Sequence, residues 1–340
     1  MIKIKFYLQL FTSMLLITSC VREKKTNVDV SGITIQQSFL NFDKELFSYG
    51  DTITEENIKQ LRQKYGSFFE LYCARIIRIH NNEDQFTAAE LVRFVSDNDV
   101  KEIHRKTDSL YLNTNDIREK LLNVFKHYAY YFQGKPVPKI ITYISAFNYQ
   151  IITADSVLGI GLDMYLGENN AAIYASLDIP KYMFRRFTKD YIVSDCIKGW
   201  FQSEYEIDSV KSELLSQMIY QGKLLYYTDV LAPGMADTIK TGYTKEQLDW
   251  CVKNESNIWA FFIEQKLLYS TVVQEYVKFI NDGPTTNGFP KESPSKIGAW
   301  IGWQIIKAYM NNNPDMTLEP MLKEKDAQKI LNNSNYKPKK

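Results

Sequence analysis

The sequence predicts a mainly α-helical α+β fold. Apolar residues recur at helical spacing through both halves of the chain, and a short stretch after Gly134 switches to β-rich runs broken by turn residues. The strongest helical signal is a pair, residues 192–201 and 209–227, joined by an acidic turn from Glu204 to Asp208. Ile192, Cys196 and Trp200 stand four apart on the first; Val210, Leu214, Met218 and Leu225 mark the second, so each offers one stripe for burial. At 340 residues and 45 % hydrophobic, the chain can close a sizeable core.

Taken in order, Lys3 and Lys5 precede an apolar run over residues 6–17 that is too short to span a bilayer. It ends in Ile17-Thr18-Ser19-Cys20, which matches a bacterial lipobox. Residues 1–19 are therefore expected to be a lipoprotein signal peptide, with Cys20 the lipid-bearing first mature residue. Several acyl chains anchor a protein stably where one does not. Residues 20–36, with Arg22, Glu23, Lys24 and Lys25 in a row, read as a solvated tether.

The remainder, 37–335, is expected to be one domain in three parts: a helical layer over 37–133, a small sheet over 134–179 and a second helical part over 180–335. In the first part Phe42, Leu46 and Phe47 fit a short helix. Thr54, with Asn57 three residues on, opens another over 54–65 as an imperfect capping box. Thr87-Ala88-Ala89-Glu90 marks a further start, and residues 115–131, carrying Leu121, Leu122, Phe125, Tyr128 and Ala129, form the clearest helix of this half. Pro136 and Pro138 stop it. Residues 140–144, 150–153, 157–161 and 171–174 then read as three or four strands, with 163–167 bulging out between them.

Beyond the organising pair, helices are expected at 245–250 and 256–269, followed by a Pro- and Gly-rich surface loop over 281–290. Ser293-Pro294 reads as an N-cap and first helical residue opening a helix through Trp300, Ile305, Ile306 and Tyr309, and 319–331 as a terminal helix.

Forty-one Lys and Arg against 40 Asp and Glu leave a net charge of +1, which supplies no field for nucleic acid. Cys73, Cys196 and Cys251 are odd in number within the folded part, so at least one thiol stays free. His80, His104 and His127 are the only histidines, and no two are three or four residues apart, so a His-Glu-x-x-His zinc site cannot form. Phosphate-loop and nucleophile-elbow patterns are absent as well. Cys196 falls on the apolar stripe, where buried thiols are inert, and Asp155 and Asp163 read as turn residues. A metallopeptidase built on two such helices would hold His-Glu-x-x-His on the first and an acidic ligand on the second. The corresponding windows are Ser194-Asp195-Cys196-Ile197-Lys198 and Ile219-Tyr220-Gln221-Gly222.

Several stretches coincide with one family: the lipobox, Asn41-Phe42-Asp43-Lys44-Glu45-Leu46-Phe47, Ile160-Gly161-Leu162-Asp163-Met164-Tyr165-Leu166-Gly167, Leu177-Asp178-Ile179-Pro180-Lys181-Tyr182, Gln221-Gly222-Lys223-Leu224-Leu225-Tyr226-Tyr227, and Ile297-Gly298-Ala299-Trp300-Ile301-Gly302-Trp303-Gln304-Ile305-Ile306. In order and spacing they resemble the gliding-motility lipoprotein GldB family, from Cys20 to about Leu331. That family is in turn similar to predicted zinc-dependent peptidases of gluzincin type. The resemblance implies a degenerate zincin-like core, with the first ligand position at Ser194, the general base at Asp195, the second ligand at Lys198 and the third at Gln221. All three ligand positions are changed, and Lys198 would repel a divalent cation, so it implies no zinc, no activated water and no cofactor beyond the lipid on Cys20.

The implied role is a non-enzymatic, periplasm-facing, outer-membrane lipoprotein that supports gliding, secretion or envelope assembly through protein contacts. A strand-bordered cleft could hold a partner chain by backbone pairing. The surface expected to do so is framed by residues 157–167, the Gln221 helix and the 281–290 loop, with Ile160, Leu162, Asp163, Tyr165, Gln221 and Phe289 on it. Two alternatives stand beside this: a hydrolase with an atypical site, and a periplasmic glycan- or peptide-binding lipoprotein, to which the 23 Tyr, 19 Phe and 5 Trp would suit.

Overall fold

Four short strands make one mixed sheet in the computed structural model, which describes residues 28–79, 87–207 and 213–338. The signal peptide, Cys20, His80 and Val210 lie outside the described residues. The strands are β1 (Phe39–Asn41), β2 (Lys139–Tyr143), β3 (Ile151–Ala154) and β4 (Val157–Gly161), in the order β1-β2-β4-β3. β1, β2 and β4 run parallel, and β3 folds back antiparallel on β4 through a tight turn in which Asp155 takes φ +48°. Asp tolerates that left-handed backbone because its short polar side chain can bond locally.

The sheet is a partition with a core on each face. Ile140, Leu158 and Ile160 pack into the larger, C-terminal core, whereas Ile141, Tyr143 and Val157 face the smaller N-terminal one. Burial on both sides is why β2 and β4 read as continuous apolar runs and not as alternating ones. Gly159 is required here: a Cβ would come within 2.6 Å of the Ile152 side chain and 3.0 Å of the Tyr143 ring.

Helices Phe42–Ser48, Glu55–Tyr65 and Ala88–Ser96 cover the N-terminal face, with Phe42 set edge-on against Tyr65, Phe68 and Tyr72 at its centre. The Thr54–Asn57 and Thr87–Glu90 capping boxes both form, so even the imperfect one supplies its two reciprocal bonds. Asn115–Tyr131 forms with the bounds expected, but it packs against helices Lys189–Glu204 and Leu214–Leu231 in the C-terminal core and not within the N-terminal layer. Those two are the organising pair, each longer at its C-terminal end than the pattern indicated.

Among the described residues the most extensive helix–helix contact joins Leu214–Leu231 to Ile297–Asn312. A Cβ on Gly302 would lie 1.7 Å from the Met218 carbonyl oxygen, and one on Gly222 2.2 Å from the Gly302 carbonyl oxygen. Backbones touch where side chains would normally separate them.

Several expectations are corrected. Residues 171–174 are not a strand: Ala171–Ser176 is a helix, its two alanines favouring that state over the pair Ile173-Tyr174. β1 escaped notice because three residues carry no period. Residues 163–167 do not bulge out, since the chain winds directly from β4 into a buried 3₁₀ turn, Leu162–Tyr165. Ser293 is buried and caps nothing; the helix starts after Lys296, which holds φ +58°. The terminal helix is two, Leu318–Lys323 and Ala327–Ser334, parted at the extended Glu324. Cys73, Cys196 and Cys251 are all free and buried.

Candidate functional site

An open cleft of about 760 Å³ lies over the organising pair. Helix Lys189–Glu204 contributes Tyr191, Asp195, Lys198 and Gln202, four residues whose spacing of three or four puts them on one face. Gln221 comes from the second helix, Gln150 and Ile151 from the start of β3, Asn281 and Asp282 from the long loop, and Lys296 from the entry to the next helix.

β3 is a sheet edge. Gly161 N–H donates to the Gln150 carbonyl at 2.8 Å, which makes residues 150 and 161 a hydrogen-bonded pair of the antiparallel ladder. By alternation, the N–H and C=O of Ile151 and Thr153 point away from β4, toward the side without a strand. Helix Lys189–Glu204 packs under β3, and Gly199 permits the approach: a Cβ there would meet Ile151 Cγ2 at 2.6 Å.

Asp195 and Lys198 pair along the helix at 3.7 Å, and the Tyr165 hydroxyl donates to the same carboxylate at 3.0 Å. Burial pushes the Asp195 carboxyl up, opposed by the Lys198 charge and the Tyr165 bond; burial pushes the Lys198 ammonium down, opposed by Asp195. Across the cleft, Asp282 bridges Arg186 at 3.0 Å and Lys296 at 2.8 Å. Burial works against that carboxylate, but the two cations hold it below its usual range.

The expected site residues divide. Asp195, Lys198 and Gln221 come together on the cleft wall. Ser194 does not: it is fully buried and its hydroxyl donates to the Ile239 carbonyl at 3.3 Å. Ile160, Leu162, Asp163 and Tyr165 are wholly buried, so the residues 157–167 do not form the surface expected of them. β4 is paired on both edges, by β2 and β3, and its backbone has nothing left to offer a partner. Asp163 instead accepts from the N–H groups of Ser145 (3.0 Å) and Phe147 (2.7 Å), securing a turn in which Ala146 and Phe147 both have positive φ. Phe289 is half-buried against Phe261 at 4.8 Å; only the first residues of its loop reach the cleft.

Sequence reading missed Gln150, Ile151, Arg186 and Lys296, and it placed Asp282 only as part of the 281–290 loop expected to frame the site. Nothing local marks them, since their role comes from meeting across the fold.

The donor set does not fit zinc. Ser194 is turned away, the Lys198 ammonium has no lone pair, and Gln221 is neutral, which leaves Asp195 alone, already tied to Tyr165 and Lys198. Among the described residues no three His, Cys, Asp or Glu side chains stand together in a metal-binding arrangement. His104 stacks on Phe47 at 4.1 Å, and His127 Nδ1 lies 2.9 Å from the Asn123 carbonyl oxygen, both away from the cleft.

The family model of the gliding motility protein GldB matches residues 23–338, a span that includes every strand and helix described above. The chain belongs to the GldB family. No curated protein and no solved structure matches it. Membership of the GldB family points to a gliding-motility-related lipoprotein. Among the described residues no helix is long and apolar enough to cross a membrane.

Proposed function

We propose that this GldB-family chain is a non-catalytic, pseudo-peptidase lipoprotein that holds an extended stretch of a partner protein in its cleft. The lipid on Cys20 anchors it to the outer membrane facing the periplasm, where it supports gliding, secretion or envelope assembly. The observation that carries the reading is the cleft itself: a sheet edge with outward-turned backbone groups at Ile151 stands beside a wall formed by Lys198 and Gln221, the residues that the resemblance to zinc peptidases would put at ligand positions. Main-chain pairing to an edge strand provides affinity without chemistry, and an ammonium where a cation should sit removes the metal-bound water that hydrolysis by this plan needs.

Photo-crosslinking residues placed at Gln150 and Gln202 in cells test the reading. Adducts to an envelope protein are expected from both positions and none from the exposed Leu177 on another surface. Stoichiometric zinc in the purified protein, together with peptide hydrolysis abolished by Asp195→Asn, would overturn it. Cys20→Ala should prevent palmitate incorporation and release the chain from membranes; persistent labelling refutes the anchor.

A further inference from the structure

The cleft is not electrically neutral. Arg186, Lys198 and Lys296 line it against Asp195 and Asp282, whereas Lys240, also on the lining, is already paired with Asp229 at 2.7 Å and Asp237 at 2.9 Å. A smaller pocket of about 130 Å³ adjoins it, sharing Arg186, Asp282 and Lys296. There the imbalance sharpens, because Lys181, Arg185, Arg186 and Lys296 face Asp282 as the single acidic residue of the lining. Arg185 is held in place by donating to the Gly242 carbonyl and, at 3.5 Å, to Gln247 Oε1. Lys296 is also the residue from which helix Ile297–Asn312 starts, so the positive end of a 16-residue helix lies at the same wall.

We propose that this pocket is a carboxylate-recognition subsite and that the polypeptide held along β3 is one bearing an acidic side chain or a free C-terminal carboxylate. The proposal rests on the peptide-holding reading above. Asp282 already shows the interaction in miniature: one carboxylate bridges a guanidinium and an ammonium, each oxygen to a different cation. Its two partners exceed it in charge, and Arg185 and Lys181 add more, so an incoming carboxylate finds donors that Asp282 does not neutralise. Asp282 sits on the loop that leads into this wall; a ligand carboxylate either joins it or displaces it. The pocket thereby sets the register of the bound strand by fixing one residue of it, while backbone pairing at β3 holds the rest without regard to sequence.

A random octapeptide library, synthesised once with free and once with amidated C-termini, is selected on the lipid-free mature chain. Wild type is expected to enrich peptides with Asp or Glu, or with free C-termini, and the difference between the two libraries separates those sources. For a selected acidic peptide, Arg186→Gln and Lys296→Asn should each weaken binding about tenfold or more, the equivalent of one charge-assisted bond. Binding of its Asn- and Gln-substituted counterpart should not change. Asn suits the left-handed backbone at 296, so that variant reports on charge even if Arg186→Gln folds poorly. Asp282→Asn should tighten acidic peptides several-fold. Peptides enriched without charge preference, or an acid preference indifferent to both cation variants, overturn the subsite and leave the peptide reading standing. Enrichment of no peptide from either library overturns the peptide reading, and the subsite with it.

Discussion

Replacing Gly302 by alanine tests the geometry on which the cleft depends. The new Cβ would lie 1.7 Å from the Met218 carbonyl oxygen, and that obstacle is main chain in the middle of a helix, which cannot rotate aside. Restoring an ordinary contact means parting the two helices by about 1.5 Å, with loss of dispersion along the whole crossing. Overpacking of this kind costs about 1–3 kcal/mol, and a fixed backbone obstacle places it at the upper end. Alanine returns up to about 1 kcal/mol of helix propensity. The net loss is about 2 kcal/mol, or roughly 3 °C in Tm for a domain of this size. Two further glycines grade the effect. Gly222→Ala meets the Gly302 carbonyl oxygen at 2.2 Å and should cost slightly less; Gly199→Ala meets the Ile151 Cγ2 methyl at 2.6 Å, a side-chain and not a main-chain obstacle, and should cost the least of the three. Urea denaturation followed by far-UV circular dichroism ranks the three. A Gly302→Ala protein as stable as wild type, or Gly199→Ala as the worst of the set, would refute the close crossing. Because Gln221 precedes Gly222, the same separation should also move a wall of the cleft.

Two other outcomes are expected. Burial raises the Asp163 carboxyl to about 6, opposed by the Phe147 and Ser145 bonds. The unfolded value is about 3.9, so the folded protein binds the extra proton between the two and stability falls as pH rises from about 4 to 6. Relative to wild type, Asp163→Asn should therefore gain roughly 3 kcal/mol between pH 4 and pH 7, measured as a difference of two denaturation series; parallel curves would contradict the buried charge. Asp229 is buried with Lys240 at 2.7 Å and accepts from the Trp303 indole N–H at 2.7 Å. Asp229→Ala should cost about 3–5 kcal/mol by stranding a buried ammonium beside Asp237 alone, and adding Lys240→Met should recover part of it. Strict additivity in that double-mutant cycle would show the pair to be uncoupled.

The amino-acid sequence by itself determined whatever obeys a short period or a local bond. Asn115–Tyr131, β4 and the starts at Thr54 and Thr87 were legible because their residues make the deciding contacts within one turn or one pleat of themselves. What the tertiary structure alone decided is which strand has a free edge and where charge accumulates. β3 and β4 look alike as sequence, yet only pairing order leaves β3 with outward backbone groups and closes β4 between two neighbours. Asp163 and Asp282 are both loop carboxylates in the sequence; folding buries one as a staple for the 145–147 turn and sets the other between Arg186 and Lys296. Electrostatic fields add over space and not along the chain, so a site assembled from residues 150, 186, 195, 221, 282 and 296 exists only once the helices have crossed at Gly222 and Gly302.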